Sequence, residues 1–438
     1  MSDENNFDEL LHHIDDIELT TVHGRITEII GMLIKAVVPR VKVGDICLIK
    51  RDPKPLLAEV VGFNEEQVLL SPLGEMYGIG PSSEVIPTRL PLQIKIGQGI
   101  LGRILNALGE PLDLEEKGPL DLEDHQSVTS APPDPLKRKM IDEPLSTGVR
   151  AIDGVLTVGV GQRMGIFAAA GGGKSTLLGM IAKNAKADVN VISLIGERGR
   201  EVREFIENDL GPEGMARSVV IVSTSDQSAQ LRINAAYIGT AIAEYFRDQG
   251  QSVILMMDSV TRYARALREV GLAAGEPPAR AGYTPSVFSM LPKLLERSGN
   301  AEKGSITAFY TILVAGDDMN EPVADEVRSI LDGHIILSSE LARQYHYPAI
   351  DVLASKSRVI SHIIDKEHLE LVGKIYEVLA NYKKNELLIR IGEYKAGSDK
   401  ATDYAIKYID KVNRFLKQKT DEKSSFKETL EQLKILFR

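Results

Sequence analysis

The chain has 438 residues, with 52 Lys and Arg against 62 Asp and Glu for a net charge of −10, and 43% of its residues are hydrophobic. That length exceeds one ordinary domain, and the apolar content suffices for buried cores. The acidic balance disfavours a general nucleic-acid binder, since phosphate backbones select basic surfaces, although it leaves room for a local basic channel.

The N-terminal stretch MSDENNFDELLHHIDD is acidic and has no basic region ahead of an apolar run, so it does not read as a secretory signal. No segment approaches the roughly 20 apolar residues that span a bilayer. The single cysteine, Cys47, cannot close an internal disulfide, which fits a reducing compartment, and it reads as a small core residue. A soluble, cytoplasmic protein is expected, with membrane association only peripheral or through partners. Phe7, Leu10, Leu11 and Ile14 fall at i, i+3, i+4 and i+7, and Ile17 extends the row. This spacing predicts a short amphipathic helix over residues 1–18. Its other face carries Asp3, Glu4, Asp8, Asp15 and Asp16, unlike a basic membrane-surface helix. Such a helix either packs on its own domain or docks a partner protein.

Residues 19–90 change character. The runs VHGRITEII, LIKAVV, ICLIKR, AEVVGF and QVLLSP are β-rich and separated by turn residues, which predicts a small β-barrel. A Pro-rich, charged linker, APPDPLKRKMIDEPL, lies within the next region. Across residues 91–365, the apolar runs VNVISLIG, SVVIVSTS, VILMMDS and SITAFYTIL alternate with helical stretches such as STLLGMIAKNAK. The alternation predicts an α/β domain with a mostly parallel sheet and helices on both faces. Residues 366–438 are rich in Lys, Glu, Leu and Ile and read as a helical C-terminal domain. No internal repeat is visible.

The most informative string is Ala168-Ala-Ala-Gly171-Gly172-Gly173-Lys174-Ser175-Thr176. It follows a predicted strand, RMGIF, and opens a predicted helix, which is the context a phosphate-binding loop requires. Glycines let backbone N–H groups turn toward phosphate oxygens, and the helix N-terminus adds partial positive charge. Lys174 would reach the β- and γ-phosphates of ATP, and the Ser175 hydroxyl would bind Mg²⁺. Ala168 stands where the strict pattern has glycine, a tolerable change if its φ stays negative. Further on, the strand VNVISLIG runs into GERGRE. Glu197 sits where a strand end would aim a carboxylate at the γ-phosphate and orient the attacking water. Glu201, four residues on, could reach waters around Mg²⁺. From spacing alone, a solvated charge cluster explains GERGREVREFIE equally well. VILMMD ends a buried strand in Asp258, the second half of a nucleotide site, where it would hold Mg²⁺ through a water.

Taken together, these residues resemble the hexameric rotary-type ATPases, a family that includes the catalytic subunit of ATP synthase and the ATPases of flagellar and non-flagellar type III secretion. The resemblance runs from about residue 20 to 418 and rests on GERGREV, MMDSVTRYA, GYTPSVFSMLPKLLER, GSITAFYTILVAGDDM, LDGHIILS, YPAIDVLASKSR and IGEYKAGSD. It implies a RecA-like P-loop core and an ATP hydrolase. By the same resemblance, Glu197 matches the catalytic glutamate, Arg198 a neighbouring phosphate-site arginine, and Glu201 an outlying Mg²⁺-site carboxylate. Asp258 matches the Mg²⁺-site aspartate and Arg262 a γ-phosphate arginine. Tyr347 matches the aromatic near adenine, and Arg358 the arginine finger given to the neighbouring subunit; taken alone, Arg358 reads as a surface salt bridge.

The string GDDMNEPVADEVRSILDGH is closer to the injection systems than to flagellar export. Further implications are a homohexamer, a stator-like regulator at the N-terminal helix, a central stalk, chaperone–effector complexes at the C-terminal helices and an export gate. The loop GLAAGEPPARAGYTPSVF, with Pro277, Pro278, Gly282 and Tyr283, is expected to line a central pore or to be an ordinary surface loop. The ATP-synthase catalytic subunit is the competing reading. A hexameric RNA helicase would need basic and aromatic residues in the barrel, where only Phe63 and Tyr77 are aromatic.

Overall fold

The computed structural model describes residues 23–169 and 171–438; the helix expected over residues 1–18 lies outside the described residues. Between Gly24 and Pro91, alternating side chains fold into strands β1 (Gly24–Ile30), β2 (Leu33–Val37), β3 (Asp45–Ile49), β4 (Leu56–Asn64), β5 (Gln67–Pro72) and β6 (Glu84–Pro91). Their order β1-β2-β5-β4-β3-β6 closes into a barrel, which leaves no unpaired sheet edge. Ile34 faces Leu70 across β2 and β5, and Ile49 faces Val85 across β3 and β6. All four side chains are fully buried, with Val60 and Cys47 beside them. Burial, reinforced by the nearby Asp45 charge, pushes the Cys47 thiol up to about 12. The thiol is therefore a packing group rather than a nucleophile.

The chain divides near residue 92. In the larger unit, β7 (Gln93–Ile96) pairs with β9 (Asp124–Ser127). The main sheet contains β8 (Ile104–Asn106), β10 (Arg163–Ala168), β11 (Val189–Glu197), β12 (Ser218–Thr224), β13 (Ser252–Asp258), β14 (Gly299–Asn300), β15 (Ser305–Leu313), β16 (Gly333–Leu337) and β17 (Lys356–Ser357). Its order is β17-β16-β10-β15-β13-β11-β12-β8, with β14 added on β15. Every pairing from β16 to β8 is parallel; β14 and β17 join antiparallel. All nine residues of β11 are buried, as expected for a central strand covered on both faces.

The principal helices are α1 (Arg150–Val155), α2 (Lys174–Asn184), α3 (Gly199–Glu204), α4 (Ala229–Asp248), α5 (Val260–Ala273), α6 (Pro285–Leu295), α7 (Pro322–Ile330), α8 (Lys366–Arg390), α9 (Lys400–Leu416) and α10 (Phe426–Leu436). The last three carry explicit start signals. Asp365 accepts from the His368 N–H, Asp399 from those of Ala401 and Thr402, and Ser425 forms a capping box with Glu428. Ile375, Val412, Phe415 and Leu433 share one core cluster with Leu177 and Ile181 of α2. Burying a side chain such as Phe415 contributes about 2–3 kcal/mol, and the C-terminal helices pack on α1, where the Phe415 ring lies over Gly154. The expected loop GLAAGEPPARAGYTPSVF is shorter than its sequence suggests, because α6 already starts at Pro285, a residue suited to a first helical turn. Pro277, Pro278 and Gly282 are exposed. Tyr283 is buried beneath Arg268, whose guanidinium lies 5.3 Å from the ring centre, so it anchors the loop rather than facing open space.

Candidate active site at the phosphate-binding loop

β10 ends at Ala168, and α2 begins six residues later at Lys174. Ala168 is buried in the strand, accepts a hydrogen bond from the Val314 N–H at 3.1 Å, and is absent from the residues with positive φ. Alanine is therefore compatible with that position. Gly171 and Gly173 have φ of 80° and 81°, the left-handed region that side chains disfavour. Gly173 caps α2, and its carbonyl accepts from the Leu177 N–H at 3.0 Å. The loop thus turns back over its own helix N-terminus, where partial positive charge collects.

Three charged side chains converge beside it. Lys174 Nζ lies 2.5 Å from Asp258 Oδ1 and 3.3 Å from Glu197 Oε1. Asp258 closes β13 and Glu197 closes the adjacent β11, so the parallel sheet aims both carboxylates at the P-loop from the carboxyl ends of its strands. Arg262, in the first turn of α5, donates to the Gly196 carbonyl and to Glu197 Oε2, the latter at 3.2 Å. Gly196 has φ 66°, and a Cβ there would lie 2.9 Å from Arg262 Cδ; the glycine lets the arginine pass. Arg262 Nε is buried with no partner, a donor held ready beside the carboxylate.

Burial raises the Glu197 carboxyl above its ordinary value; Lys174 opposes the rise and the Asp258 charge adds to it. Burial also acts upward on Glu201, but a hydrogen bond from Glu197 and the Arg198 charge outweigh it and leave Glu201 low. Lys174 loses basicity to burial and more than regains it from Asp258 and Glu197. The arrangement sets one carboxyl raised by burial beside one held low by its partners, with a lysine whose basicity the neighbouring carboxylates restore.

Ser175, Glu197, Glu201 and Asp258 line one small recess. All four offer oxygen, the donor Mg²⁺ prefers. No group of three or more His, Cys, Asp or Glu that could hold a metal ion occurs among the described residues. Thr176, Gly171, Gly173 and Tyr347 line an adjoining cleft of about 1100 Å³, whose far wall is the segment from Lys417 to Glu422. The Tyr347 ring sits over Gly173, 3.6 Å from where a Cβ would be.

Two expected residues stand apart. Arg198 is exposed and pairs with Glu201 at 2.9 Å, turned toward solvent. Arg358 is exposed after β17 and donates to the Arg328 carbonyl at 3.1 Å, not to the Lys174 cluster. Sequence reasoning missed Thr311, whose hydroxyl donates to Asp258 Oδ1 at 2.8 Å; SITAFYTIL carries Ser305, Thr307 and Tyr310 as well, so no local signal singled it out. It also missed Arg150, Gln418 and Glu422, which no local motif marks.

Comparison with known proteins places this geometry. Residues 148–357 match the ATP synthase alpha/beta family nucleotide-binding domain, 26–89 its beta-barrel domain, and 364–435 the T3SS EscN ATPase C-terminal domain. The flagellum-specific ATP synthase of Bacillus subtilis is 54% identical over 95% of this chain and 96% of its own. The type 3 secretion system ATPase of Xanthomonas euvesicatoria is 52% identical over 94% and 93%. The assembled ATPase EscN of enteropathogenic E. coli, solved in complex with its central stalk EscO, superposes with a TM-score of 0.88 at 48% identity, covering 95% of this chain and all of that one. No described helix is long and apolar enough to cross a membrane. A barrel, a P-loop sheet and capped C-terminal helices, each matched in order, place the chain in the family of type 3 secretion system ATPases and their flagellar counterparts.

Proposed function

We propose that this chain hydrolyses ATP with Mg²⁺ to energise type III protein secretion, as a homohexamer. The observation that carries the reading is the meeting of Lys174, Glu197 and Asp258 beside a glycine loop, with Ser175 in the same recess. Lys174, now paired with two carboxylates, exchanges them for the β- and γ-phosphate oxygens of the substrate. Ser175 and Asp258 would hold Mg²⁺, with Glu201 reaching its waters; when bound, the ion neutralises charge between the β- and γ-phosphates. Glu197 orients the attacking water, and its raised pKa makes it a better proton acceptor than an ordinary carboxylate. Arg262 serves the γ-phosphate, and Arg198 joins it only by leaving Glu201 and turning inward. Tyr347 offers its ring to adenine, and the backbone N–H groups of Gly171, Gly172 and Gly173, with Thr176, serve the phosphates.

Arg358 acts on the nucleotide of the next subunit. Its distance from its own Lys174 cluster and its exposure support that role. EscN was solved with a central stalk, and the same class of partner is proposed here. Further partners are a regulator at residues 1–18, chaperone–effector complexes at the C-terminal helices and an export gate, with the chain cytoplasmic and peripheral at the inner membrane. A flagellar role is the second reading, favoured by the 54% identity to the flagellum-specific relative. Restoration of motility in a strain lacking its flagellar export ATPase would select it.

The test is specific ATPase activity against enzyme concentration, with and without a Mg²⁺ chelator and with Lys174→Ala as the blank. Activity per mole that climbs with concentration, and that Arg358→Ala abolishes, is expected. Activity near zero at every concentration would sink the homohexamer and point to a missing partner chain.

A further inference from the structure

The far wall of the nucleotide cleft is held by a hydrogen-bonded circuit that no catalytic motif contains. Gln418 lies in the segment after α9 and is only 5% exposed. Its backbone N–H donates to the Tyr347 carbonyl at 2.9 Å. Its side-chain oxygen accepts from the Arg150 N–H at 2.8 Å, and its side-chain nitrogen donates to the carbonyls of Gly148 and Glu422, both at 2.8 Å. The buried side-chain amide therefore ties the turn entering α1 to the cleft wall, and the main-chain N–H of the same residue ties that wall to the Tyr347 loop.

Arg150 completes the circuit. It is itself 5% exposed. Its Nε donates to the Phe415 carbonyl at 3.0 Å, its Nη2 to the Lys417 carbonyl, and its Nη1 to the Glu422 carboxylate. Glu422 Oε2 also accepts from the Lys419 N–H at 3.2 Å. Gly148 packs against Asn184 at the end of α2, with no room for a Cβ, while the Tyr347 ring covers Gly173 at its start. The turn entering α1 and the Tyr347 loop thus both lean on Gln418. A half-satisfied buried network is costlier than none, so loss of one member is felt by the rest.

We propose that Gln418, braced by Arg150 and Glu422, is a positioning residue that fixes the Tyr347 ring and the 417–422 wall for the adenosine end of the nucleotide. It thereby ties nucleotide affinity to the placement of the C-terminal helices. This rests on the nucleotide reading above. Gln418 lies in the wall rather than among the P-loop groups, so its effect falls on the base and ribose and spares the phosphates.

The experiment measures binding of ADP and of inorganic tripolyphosphate to the full chain carrying Gln418→Ala. The Kd for ADP is expected to rise about tenfold, with tripolyphosphate unchanged within about twofold, the size expected for losing one set of buried hydrogen bonds. The KM for ATP should rise by a larger factor than kcat falls. Glu422→Gln, which keeps the shape and removes the charge, should give a smaller loss of about threefold in ADP affinity alone. It serves as the deciding variant if Gln418→Ala does not fold. An unchanged Kd for ADP overturns the proposal, as does an equal loss for both ligands, which is general loosening. Wild-type protein that binds neither ligand overturns the nucleotide reading and this proposal with it; wild type that binds both while the variant is unaffected overturns this proposal alone.

Discussion

At one end of the nucleotide cleft, Lys174, Glu197, Asp258 and Arg262 neutralise one another within hydrogen-bonding distance, each at a strand end or in the first turn of a helix. At the other end, Tyr347 and the 417–422 segment are held by backbone carbonyls, a buried amide and the ion pair of Arg150 with Glu422. The first end is charge fixed on a parallel sheet; the second is a set of loops fixed mainly by hydrogen bonds to backbone, with one ion pair behind them. Chemistry on a γ-phosphate needs preorganised charge that does not reorganise during reaction. Recognition of a base needs only a surface that can be set, and a surface set by loops can be reset when the C-terminal helices move.

The widest separation between the two ends comes from Lys174→Ala. It removes the phosphate countercharge and the cation between Asp258 and Glu197, leaving the Thr311 hydroxyl on Asp258 and Arg262 on Glu197. Steady-state ATPase activity should fall to the blank, a loss of at least about 10³-fold. ADP affinity measured on the same protein should fall as well, since the phosphates lose their partner. Arg358→Ala comes next. Assembly-dependent activity should drop about 10³-fold or more while nucleotide binding to one subunit is untouched. A variant that still gains activity with concentration would remove Arg358 from the finger role. Glu197→Gln follows, with an expected loss in kcat of about 10³-fold, because an amide cannot accept the water's proton, and with ADP affinity retained. Equal losses in binding and turnover would make Glu197 a structural partner of Lys174 and Arg262, and the comparison would lose its chemical meaning.

The same contrast governs what could be read in advance. Lys174, Glu197 and Asp258 each end or follow an apolar run, so a local pattern marks them and a parallel sheet must gather them. Thr311 escaped because its role is to donate to Asp258 from the middle of a neighbouring strand, and strand pairing order is not written in any one segment. Arg150, Gln418 and Glu422 escaped for a stronger reason. They meet across more than 260 residues, and a glutamine between two lysines looks like solvent-exposed polarity until the helices pack. The barrel and the helical C-terminal region were legible because period and capping are local. The length of the loop before α6 was not, because Pro285 reads equally as a loop residue and as a helix start.

The smallest effect expected tests whether the loop-built end is the weaker one. His346 sits between Tyr345 and Tyr347 and is 6% exposed, and its Nε2 has no partner. Burial, helped by the Lys417 charge, lowers its pKa to about 4. In the unfolded chain the ring takes a proton near its ordinary 6.5, whereas in the folded chain it stays neutral until about pH 4. Protonation therefore favours the unfolded state throughout that window. The contribution of His346 to stability falls as pH drops from 6.5 toward 4, by under about 1 kcal/mol at pH 6 and about 2 kcal/mol at pH 5. His334 and His368 are also lowered by burial and act with the same sign, so the slope of wild type alone cannot be assigned to one ring. His346→Phe keeps a ring in the space and cannot titrate, so its melting temperature should decline less steeply between pH 6.5 and 5 than that of wild type. If strain at His346 opens the Tyr347 loop before the rest of the fold yields, acidification to pH 5 should weaken ADP binding in wild type more than tripolyphosphate binding, and His346→Phe should reduce that gap. Parallel melting slopes in the two proteins would show that His346 takes its proton at the same pH in the folded and unfolded chains, and the hydrogen-bonded end of the cleft would then be as resistant to acid as the charged one.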